Sequence, residues 1–143
     1  MVKFIKREKQ LLLTDIIARL PYGIKVFYNG INCVIENIGR DGSISLISDD
    51  STYKKAIYLT SIEYIKPYFH PMSSMTEEEK EELRQEQIKD EQLFVDCIKN
   101  HPEMRGLIIP HFAADWCDKN MFDYRGLIPM GLALKAPEGM YNN

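Results

Sequence analysis

The fold is decided by residues 24–38, which run Ile-Lys-Val-Phe-Tyr-Asn-Gly-Ile-Asn-Cys-Val-Ile-Glu-Asn-Ile. Two runs rich in β-branched and aromatic residues flank an Asn-Gly dipeptide at 29–30, and both residues of that dipeptide tolerate the positive φ of a type I′ turn. After the turn, Ile31, Cys33 and Ile35 alternate with other residues, so the three share one face of a strand. The sequence therefore predicts an antiparallel β-hairpin at this point.

Three more short strands are predicted downstream of the hairpin. They cover residues 43–47, 56–59 and 65–69, with a turn at 39–42 and a single 3₁₀ turn within 60–64. The proline of the last strand should lie at an edge or an end, because it has no N–H to donate. Five such short strands need closure or a second layer to be stable. The pattern resembles the SH3-like small barrel, and we predict an α+β protein that begins with an SH3-like β-barrel of short antiparallel strands.

A short helix is expected before the strands. Thr14 can cap a helix over Asp15–Leu20, and the Pro-Tyr-Gly sequence at 21–23 would stop it. Residues 1–10 alternate basic and apolar side chains and are expected to fray or to pair weakly. Residues 1–70 thus form a small β-barrel-like module with an N-terminal helix.

Residues 71–143 are predicted to form an acidic helical module. Thr76 and Glu79 have the spacing of a capping box. They begin either one long helix that docks by its C-terminal half or two helices with a bend between them. Another helix is expected over Phe112–Lys119. The tail Met121–Tyr141 contains several glycines but stays apolar, so it is expected to pack as an ordered, extended wrap over the core.

The net charge of −3 is unevenly distributed over the 143 residues. Ten Lys/Arg against seven Asp/Glu give +3 in residues 1–70, and eight against fourteen give −6 in residues 71–143. The basic N-terminal half, called the basic front below, and the acidic C-terminal half could each bind a partner of opposite charge. Alternatively, both are ordinary solvated surfaces.

Cysteine usage and hydropathy indicate the compartment. Cys33, Cys97 and Cys117 are odd in number and lack the spacing of a disulfide framework. The first residues carry charges but no apolar run of a signal peptide, and no apolar stretch approaches the length of a membrane span. We therefore expect a cytoplasmic protein with reduced thiols and no membrane partner.

One set of residues has the chemistry of a zinc site. Cys97, His101, His111 and Cys117 follow the spacing C-x₃-H-x₉-H-x₅-C, and four such ligands suit tetrahedral zinc. The spacing matches no standard zinc module. A buried Cys97 and an exposed His101 before a proline explain the same residues without a metal, so no metal or other cofactor is predicted.

Catalytic chemistry has little support in the sequence. Asp115 and Asp118 share a helical face at i, i+3 and could hold a hard cation, with Glu103 and Asp123 close in sequence. No third ligand or base completes such a site, and surface or turn roles explain these residues. The chain has no Gly-x-Ser-x-Gly elbow, no Gly-x-Gly-x-x-Gly and no P-loop. No residue is assigned a catalytic role, and a non-enzymatic protein is favoured over the alternative of a small enzyme.

Nucleic-acid binding is one hypothesis for the basic front. Phosphates would pair with its cations, and bases would stack on the tyrosines of the β module. Seven acids dilute this module, and tyrosine is also a normal strand residue. The candidate phosphate contacts are Lys3, Lys6, Arg7, Lys9, Arg19 and Lys25.

Protein binding is the hypothesis that uses more of the chain. Small barrels present aromatic grooves, and methionines near the module boundary suit an adaptable exposed patch. Alternatively, the boundary residues plug the joint between the modules. The candidate contacts are Tyr28, Tyr58, Tyr68, Phe69, Met72 and Met75.

Four phrases carry a resemblance to a known family. They are Leu-Pro-Tyr-Gly-Ile-Lys at 20–25, the run at 65–76, Phe-Asp-Tyr-Arg-Gly-Leu-Ile at 122–128, and Ala-Pro-Glu-Gly-Met-Tyr at 136–141. The chain resembles short uncharacterised proteins of gut anaerobic bacteria, their prophages and mobile elements. The likeness covers most of the chain except about 85–115. It implies a bacterial or phage intracellular setting and carries no activity.

The sequence thus ranks three hypotheses for function. The first is a non-enzymatic intracellular protein that binds another protein. The alternatives are a nucleic-acid-binding accessory protein that uses the basic N-terminal face, and a small enzyme or a protein that sequesters a metal or nucleotide.

Overall fold

A computed structural model describes residues 6–49, 57–104 and 114–141, except for the side chains of Cys97, Ile98 and Met104. Three α-helices and six strands occur within these ranges, joined in several places by single 3₁₀ turns. The elements are α1 Lys6–Arg19, β1 Lys25–Tyr28, β2 Ile31–Ile38, β3 Ile44–Ser48, β4 Ile57–Thr60, β5 Ile65–Phe69, α2 Glu77–Asn100, α3 Ala114–Lys119 and β6 Leu134–Lys135.

The six strands form one sheet in the order β4-β3-β2-β1-β5-β6. Every pairing is antiparallel except that of β5 with β6, which is parallel. The predicted α+β class is confirmed. The predicted closed barrel is not formed by the described residues, because β4 and β6 remain the two ends of an open sheet.

The predicted hairpin is confirmed in register and in turn geometry. Lys25 pairs with Val34 and Tyr28 with Ile31. Asn29 and Gly30 have φ values of 49° and 84°, as a type I′ turn requires. The 3₁₀ turn before β5 is also confirmed, at Ile62–Tyr64.

The inner face of the sheet is apolar and packs against α1. Along β2, β3 and β5 its buried residues lie at alternate positions, as the period of two requires. Leu12 and Ile16 of α1 cover them and are fully buried. The buried strand residues are Val26, Cys33, Ile35, Ile44, Leu46, Ile65 and Phe69.

The first helix is longer than predicted. It begins at Lys6 and includes Thr14 as an exposed interior residue, so the predicted cap at Thr14 is wrong. The reason is packing: Leu12 is fully buried and its two leucine neighbours pack partly against the core, so the turns before Thr14 gain stability from tertiary contact.

The tail continues the same core, as predicted. Met121, Leu127, Leu132 and Ala133 are buried in the cluster that also contains the α1 and sheet residues. Backbone bonds from β5 to β6 hold this segment along the sheet edge. Residues on both sides of position 70 therefore share one hydrophobic core.

Helix α2 is a single helix of 24 residues, which decides between the two predicted alternatives. Its capping box is confirmed: the Thr76 N–H donates to Glu79 Oε1 at 2.9 Å, and the Glu79 N–H donates to Thr76 Oγ1 at 3.1 Å. The prediction that this helix docks only by its C-terminal half is wrong, because its first half packs against a hydrophobic cluster. Leu83, near the start, packs with a small cluster around Met75, whereas Leu93 is 68% exposed.

A buried ion cluster joins α1 to the C-terminal segment. Arg19 is fully buried, and its Nε lies 2.9 Å from Asp15 Oδ1 and 3.5 Å from Asp118 Oδ1. Its Nη2 donates to the carbonyl of Phe122 at 2.7 Å, and its guanidinium lies 4.0 Å from the centre of the Phe69 ring.

Arg125 completes the charge balance of this cluster. Its Nη1 lies 2.7 Å from Asp15 Oδ2 and 3.4 Å from Asp118 Oδ1. Burial raises the pKa of the Asp118 carboxyl, and the neighbouring Arg19 and Arg125 oppose that rise. Two guanidiniums thus face two carboxylates, and each charge has a partner of opposite sign.

Replacing Arg19 should therefore destabilise the fold strongly. Arg19→Met leaves two buried carboxylates with one guanidinium, so we expect the free energy of unfolding to fall by about 3–5 kcal/mol. Urea denaturation followed by circular dichroism measures it. Arg7→Met, at an exposed position of the same helix, is the control and should change stability by no more than about 0.5 kcal/mol. Equal effects of the two substitutions would contradict the structural role of Arg19.

Candidate functional site

An open groove lies at the end of the sheet where β1 turns into β2. It has a volume of about 480 Å³. Tyr28 and Asn29 form one wall, and residues from the end of β4 and the following 3₁₀ turn form the other. The lining residues are Tyr28, Asn29, Leu59, Thr60, Ser61 and Tyr64.

Curvature of the sheet brings the two walls together. Strands β2 and β3 lie between β1 and β4, which would separate β1 from β4 by roughly 14 Å in a flat sheet. Yet the rings of Tyr28 and Tyr58 have centroids only 5.7 Å apart on the inner face. The sheet is therefore curled but open, and the groove lies where β1 and β4 approach each other.

The 3₁₀ turn at Ile62–Tyr64 presents the outermost ring of the groove. Ile62 is buried in the core, so Tyr64, two residues later in the same tight turn, points outward and is 54% exposed. Leu59, at the end of β4 on the same wall, is 73% exposed. Two large apolar side chains of the groove thus face solvent.

Contacts with α1 hold the 3₁₀ turn in place. Ser61 Oγ donates to Glu63 Oε2 at 2.7 Å, and Lys9 of α1 forms an ion pair with the same carboxylate. The hydrogen bond from Lys9, followed by that from Ser61, lowers the pKa of Glu63 to about 2. Glu63 is thus ionised at neutral pH and anchors the turn that carries Tyr64.

The chemistry of the groove suits binding. Its lining side chains supply phenol rings, hydroxyls, one amide and one leucine, and include no carboxylate, imidazole, thiol or amine. Aromatic rings with polar tips give large contact area and hydrogen bonds at low entropic cost. The groove can hold an apolar or aromatic group, and its lining offers no general base or strong nucleophile.

The predicted protein-binding residues divide into exposed and buried sets. Tyr28 lines the groove, and the ring of Tyr58 lies beside it at a tilt of 51°. Met72 is 38% exposed but lies outside the lining. The exposed roles predicted for the other three are wrong, because Tyr68, Phe69 and Met75 are buried.

Each of these three corrections has a physical reason. Phe69 is a core residue of β5 under the Arg19 guanidinium. Tyr68 lies on the opposite face, where its hydroxyl donates to Asn32 Oδ1 at 2.7 Å and the tail residue Tyr141 donates to its carbonyl at 2.8 Å. Met75 packs with Phe122 at the joint between α2 and the tail, which is the alternative that the sequence left open.

The predicted basic surface is smaller than its sequence suggested. Lys6 and Arg7 are exposed on α1, whereas Lys9 is paired with Glu63. Lys25 lies 3.3 Å from Asp49 and donates to the carbonyl of Met140 at 2.9 Å.

Arg19 is not part of this basic surface, because it is buried in the ion cluster and cannot reach a phosphate in the folded protein. Lys3 lies outside the described residues.

The predicted metal ligands do not converge where they can be placed. His101 is exposed, with its Nδ1 3.5 Å from Glu103. Cys117 is buried against Phe122, and burial raises the pKa of its thiol. His111 and the side chain of Cys97 lie outside the described part of the chain. Within that part, no three His, Cys, Asp or Glu side chains could hold a metal ion together.

Two of the four acidic residues considered for catalysis have structural roles, whereas Glu103 and Asp115 are exposed. Asp118 belongs to the ion cluster. Asp123 accepts hydrogen bonds from the N–H groups of Leu127 and Ile128 at 2.8 and 2.9 Å, so it closes the turn that the sequence indicated.

Sequence reasoning missed Asn29, Leu59 and Tyr64 as site residues. Two local signals could have found them. Tyr64 follows a buried isoleucine in a 3₁₀ turn, and Leu59 alternates with Tyr58 on a short strand. That these residues meet Tyr28 depends on the curvature of the sheet, for which no local signal exists.

Comparison with protein-family models, with curated proteins and with solved structures finds no match for this chain. Among residues 6–49, 57–104 and 114–141, no helix combines the length and apolar character needed to cross a bilayer.

Proposed function

We propose that this chain is a non-enzymatic protein-binding protein. Its groove accepts an apolar or aromatic side chain from an exposed segment of a partner protein. The observation that carries the proposal is the open groove between Tyr28, Leu59 and Tyr64, whose lining is aromatic and aliphatic with polar tips.

Exposure of the groove residues supports binding rather than a structural role. Leu59 and Tyr64 are 73% and 54% exposed, and burying a side chain of this size is worth roughly 1.5–3 kcal/mol. Tyrosines that stand around a pocket are typical of binding hot spots. A partner that covers both residues gains this free energy, whereas the isolated chain does not.

The fold and setting form part of the same proposal. The order β4-β3-β2-β1-β5 and the 3₁₀ turn before β5 support an SH3-like small barrel, extended here by β6. The resemblance to proteins of gut bacteria and their phages supports a cytoplasmic setting. The proposed partner is a bacterial or phage protein.

Selection of phage-displayed random peptides on the full chain tests the groove. We expect enriched peptides with a shared apolar or aromatic position. Tyr64→Ala should weaken their binding at least about tenfold, because it removes the outer ring of the groove. Tyr22→Ala is the matched control, since Tyr22 is 41% exposed and lies outside the lining, and it should leave affinity unchanged. Absence of enrichment, or equal binding by both variants, would refute the proposal.

The alternative function, nucleic-acid binding, is tested by a separate experiment. Among the predicted phosphate contacts that the structure describes, Arg19 is buried and Lys9 and Lys25 form ion pairs, which leaves a small cationic surface around Lys6 and Arg7 of α1. We therefore expect no salt-dependent change in fluorescence anisotropy when labelled single-stranded or duplex DNA or RNA is titrated with the chain at low salt. Binding that declines steeply with added salt and disappears in a Lys6→Ala, Arg7→Ala variant would favour the nucleic-acid function instead.

A further inference from the structure

The two edges of the sheet are protected to different degrees. Strand β6 has only two residues, one of them Lys135, and Ala136-Pro137 follow it directly. Shortness, lysine and proline are the devices by which proteins prevent pairing at a sheet edge. Strand β4 has the four residues Ile-Tyr-Leu-Thr, with no charge, proline or glycine.

The outer face of β4 is also strongly apolar. Ile57 and Leu59 are 70% and 73% exposed and lie on the face away from the core. Ile47 of β3 pairs directly with Ile57 and is partly exposed beside it. Among the described residues, β4 pairs with β3 alone. An apolar, uncharged edge of this kind is a pairing site.

We propose that β4 pairs antiparallel with β4 of a second copy of this chain. The two-fold axis of this pair passes between the two copies of Tyr58, which lie directly opposite each other. Residues directly opposite each other in such a pair have side chains on the same face of the sheet. The two-fold axis must therefore pass midway between the two copies of one residue. With the axis at Tyr58, Ile57 lies opposite Leu59 of the second copy, and Leu59 lies opposite Ile57. The two apolar pairs then form one continuous patch with Ile47.

A second copy fits this edge better than an unrelated strand for two reasons. The alternation of Ile57 and Leu59 is complementary to itself, and the absence of charge from β4 avoids like-charge contacts across the axis. A head-to-tail assembly would need a second open edge, but β6 occupies the outer side of β5. The sheet therefore favours the closed, two-fold arrangement.

This interface shares Leu59 with the proposed peptide groove, but each surface also has a residue of its own. Ile57 belongs to the edge and not to the groove lining, whereas Tyr64 lines the groove and is not part of β4. Substitution of one residue leaves the other surface in place, so failure of either proposal can be observed separately.

Sedimentation velocity of the full chain over a range of concentrations tests the dimer. We expect a species of twice the 16.7 kDa chain mass. Ile57→Lys should convert it to a monomer, because it places a charge in the apolar pair. Leu93→Lys, on the exposed face of α2, is the control and should leave the dimer intact. A wild-type monomer at the highest soluble concentration, or a dimer unaffected by Ile57→Lys, overturns the proposal.

Disulfide trapping tests the register. Because the axis passes between the two copies of Tyr58, Tyr58→Cys should form a disulfide-linked dimer on mild oxidation, whereas Ile57→Cys alone should not, since its neighbour across the axis is Leu59. The wild-type chain shows how much linkage its own cysteines produce. Equal trapping by Ile57→Cys and Tyr58→Cys contradicts the register.

Discussion

The position of Arg19 constrains the rest of the structure. Its guanidinium is fully buried and has four partners on separate elements: Asp15 of α1, the ring of Phe69 on β5, Asp118 of α3 and the carbonyl of Phe122. An unpaired buried charge costs several kcal/mol, so these elements cannot shift independently. The arginine therefore fixes how the helix, the sheet and the C-terminal segment fit together.

This arrangement covers one part of the sheet and leaves another open. Helix α1 and the tail cover the inner face of the sheet, and β6 of the tail covers the outer side of β5. The groove and the β4 edge lie on the side that the ion cluster does not reach, and they carry exposed Leu59, Tyr64 and Ile57. Neighbouring apolar side chains that the fold leaves in solvent are the basis of both proposed binding surfaces.

The sequence predicted those elements whose signals are local. The Asn-Gly hairpin, the 3₁₀ turn before β5 and the capping box of α2 depend on residues a few positions apart, and all three are confirmed. A single run of alternating residues also predicted the buried face of β2 through Cys33 and Ile35.

Long-range contacts account for what the sequence did not predict. Arg19 looked like a surface cation because the carbonyl that it binds lies 103 residues further along the chain. Tyr68 appeared exposed because the tail that covers it returns from the other end of the chain, where Tyr141 bonds to its carbonyl. The groove was half predicted: Tyr28 was identified, but Leu59 and Tyr64 reach it only through the curvature of the sheet.

Hydrogen–deuterium exchange of the wild-type chain tests most directly whether Arg19 joins the molecule into one cooperative unit. If it does, the hydrogen-bonded amides of β1, β2 and residues 121–136 exchange with the same free energy, that of global unfolding. Much faster exchange in residues 121–136 than in β1 and β2 would contradict the account, since the C-terminal segment would then open while the sheet stayed folded.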